Sequence, residues 1–112
     1  MGVPSVGQVV LVPFPFSDLS RTKMRPAVVL ADSGRDDWIL CQVTSNPYGD
    51  EKAITVSEKD FQTGALRVTS YARPGKLFTA NASLIVESVG LLKKATVKQM
   101  IESVVEILSA GI

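Results

Sequence analysis

At 112 residues the chain is long enough to bury one real core and too short for a second, so a single domain spanning residues 1–112 is expected. Hydrophobic residues make up 46% and charged residues 21%, which places the chain among folded rather than disordered sequences, and no run approaches the roughly 20 apolar residues of a membrane-spanning helix. With no histidine, histidine-built metal sites and histidine-dependent triads are excluded; with one cysteine, so is an internal disulfide; and a formal charge of +1 leaves nucleic-acid binding to a local basic patch.

The N-terminus, Met1-Gly2-Val3-Pro4-Ser5, has neither a basic start nor a long apolar stretch, so no secretory signal is expected and a cytoplasmic location follows by default. Residues 8–16 form an apolar run rich in valine and aromatics that reads as a buried strand. Pro13 and Pro15 cannot donate ladder hydrogen bonds, which sends the second half of that strand to an edge or out of the sheet. Residues 17–24 are polar and charged and read as a loop. Residues 26–31 make a second strand, bounded by turn-prone Asp32, Ser33 and Gly34. Residues 38–45 make a third, with Trp38, Leu40, Gln42 and Thr44 on one face and Ile39, Cys41, Val43 and Ser45 on the other. Cys41, inside this apolar strand, is expected to be a buried and inert thiol.

A cluster of turn formers over 46–50 precedes a short strand at 53–56, and residues 57–60 read as one capped helical turn feeding Phe61 ahead of Gly64. Further strands are expected near 65–72, 76–79 and 88–92. The last element is a helix. Thr96, with Gln99 three positions on, resembles a capping box, while Val97, Met100, Ile101, Val104, Ile107 and Leu108 recur at helical spacing and Gly111 can end the helix. Short strands at regular intervals with one terminal helix predict a mainly β fold with a C-terminal α-helix, a small and strongly curved antiparallel sheet or barrel.

Two places stand out chemically. The loop before the second strand carries Asp18, Arg21, Lys23 and Arg25, cations dense enough to grip phosphate, although a solvated loop protecting an edge strand explains the same charges. Arg25 differs from the others because Pro26 restrains its backbone to an extended form at the mouth of a buried strand. Thr44 and Ser45 end an apolar strand, where their hydroxyls either cap the next turn or donate to a ligand. Arg67, Thr69, Ser70, Tyr71, Arg73 and Lys76 supply further donors and one ring on which a base can stack, a pattern that plain strand periodicity also accounts for.

The blocks Gly7 to Phe16, Arg25-Pro26-Ala27-Val28-Val29-Leu30, Val43-Thr44-Ser45 and Ser70 to Phe78 resemble the MazF/PemK family of toxins, and the resemblance covers essentially the whole chain. It implies an SH3-like barrel of the MazF/CcdB/PemK type, paired as a homodimer. It also implies a sequence-selective, metal-independent endoribonuclease that acts on single-stranded RNA or mRNA with no cofactor and is silenced by a cognate antitoxin. Catalytic roles then fall on Arg25 and Thr44, with Ser45, Arg21, Lys23, Arg73 and Lys76 holding substrate. The implied reaction is attack of the ribose 2′-hydroxyl on the adjacent phosphorus, leaving a 2′,3′-cyclic phosphate and a 5′-hydroxyl. An acidic antitoxin segment would lie beside the loop of residues 17–24. The chain departs from the family in lacking an acidic residue shortly before the arginine, where Ser20, Arg21 and Thr22 stand, and in carrying Arg73-Pro74-Gly75 where many members keep an aspartate shortly after the arginine. The proton acceptor is left open between Asp18 and the substrate's own surroundings.

Two other readings belong to the same fold. CcdB-like gyrase poisons act through their C-terminal end, but Ala110 stands where those proteins have tryptophan. An inactive relative would keep the dimer and the antitoxin groove without cleavage.

Overall fold

The computed structural model describes residues 3–15 and 22–112. Its strands are β1 (Gln8–Pro15), β2 (Thr22–Gly34), β3 (Asp37–Thr44), β4 (Ile54–Val56), β5 (Phe61–Gly64), β6 (Ser70–Asn81) and β7 (Glu87–Leu92), followed by helix α1 (Lys94–Ser109). All strand pairs are antiparallel, in one sheet of order β4-β6-β3-β2-β1-β7-β5.

The two edges of this sheet, β4 and β5, are neighbours in sequence, joined by residues 57–60 alone. Laid flat, six strand spacings would separate them by about 29 Å. The five Cα steps from Val56 to Phe61 reach about 18 Å at most. The sheet therefore curls into a half-barrel, and the molecule measures 34 × 33 × 31 Å. Val56 of β4 and Phe61 of β5 meet Val28, Val43 and Met100 in one cluster, which marks the concave side. A second cluster on the other face holds Val10, Val29 and Leu40. Because β1, β2 and β3 are buried on both faces, their sequences are near-continuous apolar runs instead of alternating ones.

Asp60 fastens the corner between the edges. Its carboxylate accepts from the Ser57 N–H at 2.8 Å and from the Thr96 hydroxyl at 3.0 Å, and its carbonyl accepts from the Lys93 N–H at 2.8 Å. The corner is thereby tied to the first turn of α1, whose positive dipole end favours a nearby carboxylate. Burial alone would raise the Asp60 pKa. The bonds from Ser57 and Thr96, with the charge of Lys59, outweigh it and hold the carboxyl below its usual range.

Several expectations need correction. The segment expected as a loop up to Met24 is partly strand: β2 begins at Thr22 because it pairs with β1 out to Pro15. The prolines do lie at an edge, since β7 pairs with β1 only from Gln8 to Leu11. Residues 65–69 are irregular, not strand: beyond the Ala65 N–H, which donates to the Val89 carbonyl at 3.3 Å, they cross from β5 to β6 without joining a ladder. The two strands expected from 65–72 and 76–79 are instead the single β6. It tolerates Pro74 because residues 73–76 bulge out between the Ala72–Val43 and Leu77–Cys41 pairs. The short β5 was not anticipated as a strand. Thr96 is no helix cap: α1 starts at Lys94, and the Thr96 hydroxyl is spent on Asp60. Of the helical stripe, Val97, Met100 and Val104 pack on the concave cluster, while Ile101 and Leu108 face outward, Leu108 at 70% exposure. Among the described residues no helix is long and apolar enough to cross a membrane.

Asp60→Ala should lower stability by about 2 kcal/mol, the scale of hydrogen bonds to a charged group, measured by urea unfolding near neutral pH. The folded pKa lies below the unfolded one, so this stabilisation is complete above the ordinary aspartate value of about 3.9 and fades as pH falls through the lower folded value. The stability gap between wild type and Asp60→Asn should accordingly stay constant above about pH 5 and narrow as pH falls below about pH 4.

Candidate functional site

Arg25 lies in β2, opposite Val12 of β1 and immediately before Pro26. Proline confines the preceding residue to extended backbone, so the local sequence and the strand agree, and the guanidinium leaves the sheet from a fixed point. Thr44 is the last residue of β3. The β2–β3 ladder has ended at Ala27 and Gln42. Two positions further, where unbroken register would set Arg25 opposite Thr44, the strands have parted. A groove of about 830 Å³ opens there, within the range of ligand sites, about 300–1,000 Å³.

Lys23, Arg25, Thr44 and Ser45 all line this groove. The crossing segment 65–69 adds Arg67, and the first residues of β6 and β7, Ser70 and Glu87, complete the polar lining. Leu11, Pro26, Val43, Leu66 and Val89 form its apolar walls. Arg67 and Ser70 had been marked in the sequence as donors. Glu87 had not: no motif surrounds it, and only the pairing of β7 with β1 carries it to the groove.

Thr44 is 4% exposed, and its hydroxyl oxygen accepts the Asn46 N–H at 3.2 Å. This is the turn-capping role. It occupies a lone pair and not the O–H hydrogen, so capping and donation to a groove ligand are compatible.

Arg73 and Lys76 are not brought into the groove. The Arg73 Nε donates to Asp50 Oδ2 at 3.0 Å, and its guanidinium stands 5.8 Å from the centre of the Tyr48 ring. Arg73 thus braces the connection between β3 and β4. Its hydrogen bond, then that of the Lys52 N–H, holds the Asp50 carboxyl below its usual range. Lys76 is exposed on the bulge of β6. Arg21 and Asp18 lie outside the described residues. Cys41 is fully buried, which pushes its thiol up to about 12, and it donates to the Arg73 carbonyl at 3.2 Å, so it is the inert group expected. A second cavity of about 590 Å³ beside α1, walled by Leu91, Leu92, Val97 and Ile101, contains none of the residues nominated from sequence. Among the described residues no three metal-ligating side chains cluster.

Residues 5–108 match the family model of PemK-like, MazF-like toxins of type II toxin-antitoxin systems. The chain is similar to MazF in a MazE-MazF crystal structure from Deinococcus radiodurans, with 18% identity, a TM-score of 0.76, and coverage of 96% of this chain and 97% of that one. It is similar to an endoribonuclease in complex with its cognate antitoxin from a mycobacterial species, with 16% identity, a TM-score of 0.71, and coverage of 96% and 95%. To the Mycobacterium tuberculosis toxin MazF-mt6 it shows 13% identity and a TM-score of 0.69 over 90% and 95% of the two chains. No curated protein matches it in sequence. At such identities the structural likeness speaks for the fold, the curled antiparallel sheet with one C-terminal helix. The match in sequence pattern, running almost from end to end, speaks for descent: this chain belongs to the PemK-like, MazF-like toxins of type II toxin-antitoxin systems.

Proposed function

We propose that this toxin is a metal-independent endoribonuclease that cleaves single-stranded RNA, mRNA included, at selected sequences. The observation that carries this reading is the convergence of Lys23, Arg25, Thr44 and Ser45 on one groove. Cations and hydroxyl donors mounted on strands are what a phosphodiester and its more highly charged transition state require. The 2′-hydroxyl attacks the adjacent phosphorus, and the products carry a 2′,3′-cyclic phosphate and a 5′-hydroxyl. Arg25 stabilises the transition state, since a guanidinium fork fits two phosphate oxygens and keeps its charge. Thr44 donates to a phosphate oxygen, its position fixed by the Asn46 N–H. Ser45, Lys23 and Arg67 hold neighbouring parts of the substrate. Arg73 contributes by bracing the connection that follows Ser45.

The same cations suit a cognate antitoxin with an acidic segment, which competes with RNA for the groove. The toxin works in the cytoplasm as a homodimer, and the outward-facing Ile101 and Leu108 offer apolar surface to a second copy.

Purified protein incubated with a long unstructured RNA in excess EDTA should yield fragments with 5′-hydroxyl ends. Arg25→Ala should cut the rate about 10²-fold to 10³-fold, as expected for a lost transition-state donor. Intact RNA, or cleavage indifferent to Arg25→Ala, would overturn the assignment; inhibition of gyrase supercoiling with RNA left intact would point to a gyrase poison instead. Saturating antitoxin should abolish RNA binding, and unchanged binding would refute the shared groove. Sedimentation should give twice the chain mass.

A further inference from the structure

We propose that Glu87 is the proton acceptor of the cleavage reaction, an inference that rests on the ribonuclease reading above. A 2′-hydroxyl needs a base as it attacks, and the candidates are few. The chain has no histidine, and a guanidinium that keeps its proton at physiological pH cannot accept another. Among the described residues lining the groove, Glu87 is the one carboxylate. Strand pairing fixes its backbone, and its side chain is exposed. Glu87 pairs with Leu11 of β1, Leu11 pairs with Pro26 of β2, and the Val86 N–H donates to the Leu11 carbonyl at 2.9 Å. Two strand spacings set Glu87 and Pro26 roughly 10 Å apart at Cα. Alternation turns Arg25, the residue before Pro26, to the other face of β2, so the two groups share the groove at its open end, where β2 and β3 have parted.

The charge pattern points the same way. A carboxylate beside Lys23, Arg25 and Arg67 weakens the attraction of the groove for a polyanion. Glu87 is exposed at the start of β7 and so open to a bound substrate, where a carboxylate serves general-base catalysis better than it serves binding. In the proposed step the 2′-hydroxyl proton passes to a Glu87 carboxylate oxygen as the 2′-oxygen–phosphorus bond forms. The phosphorus–5′-oxygen bond breaks, and the departing oxygen takes a proton from water. Glu87 then returns its proton to solvent, so the enzyme is unchanged and no further reactant is consumed.

The test uses single-turnover cleavage of a mapped RNA site in EDTA, with affinity measured separately on the same RNA carrying a 2′-deoxy sugar at the scissile position. Glu87→Gln should slow cleavage by about 10²-fold to 10⁴-fold while binding the uncleavable RNA as tightly as wild type or more tightly. Glu87→Asp should recover part of the rate, and added formate should partly rescue Glu87→Ala. Cleavage by Glu87→Gln within about threefold of wild type, a rate loss matched by an equal loss of affinity, or no rescue by either Asp or formate would overturn the role of Glu87 and leave the ribonuclease reading intact. A wild-type protein that leaves RNA whole would overturn both.

Discussion

Residues 57–60 must join the two edges of a seven-stranded sheet, and most of the architecture depends on that short link. No flat sheet satisfies it. Once the sheet curls, the apolar residues of β4 and β5 face the same interior as those of β1 to β3, and α1 closes the cluster with Val97, Met100 and Val104. Asp60 connects the link to α1 through side chain and backbone together. Gly64 makes the next step feasible. Its φ is +76°, and a Cβ there would stand 2.2 Å from the Val89 carbonyl oxygen, so only glycine lets β5 approach β7 this closely before the chain turns away.

The groove is a second consequence of the same curl. Residues 65–69 must cross from one end of the strand order toward the other, and they do so over the place where β2 and β3 part. Leu66 and Arg67 are thereby laid beside Arg25 and Thr44, and Glu87 arrives because β7 flanks β1 on the opposite side from β2. The lining is drawn from distant stretches of chain, each mounted on or next to a strand. A site built on strands holds its groups more accurately than one built on loops.

Electrostatics is local here. A formal charge of +1 gives no long-range pull on RNA, yet three cations and three hydroxyls share one groove. Other charges have been spent on structure. Asp50 and Arg73 neutralise each other beneath Tyr48, which steadies the connection that leaves Thr44 and Ser45. Thr44 serves both sides of this division, capping the turn through its oxygen and keeping its hydrogen for a ligand.

The amino-acid sequence by itself determined the class of fold, the central strands and the terminal helix and singled out Arg25 and Thr44, to which the family resemblance then gave catalytic roles. These are written in local patterns: apolar runs, a proline after an arginine, hydroxyls ending an apolar strand, a helical stripe. It could not assign Arg73, because a basic residue on a strand reads alike whether it grips a ligand or Asp50. It misread residues 65–69, since Leu66 and Val68 alternate like a strand while topology denies them a partner. It passed over Glu87 because the companions of that residue lie far away in the chain. Which side chains share a groove is set by strand order and by the length of the links between strands. That information becomes physical only when the sheet has closed on itself.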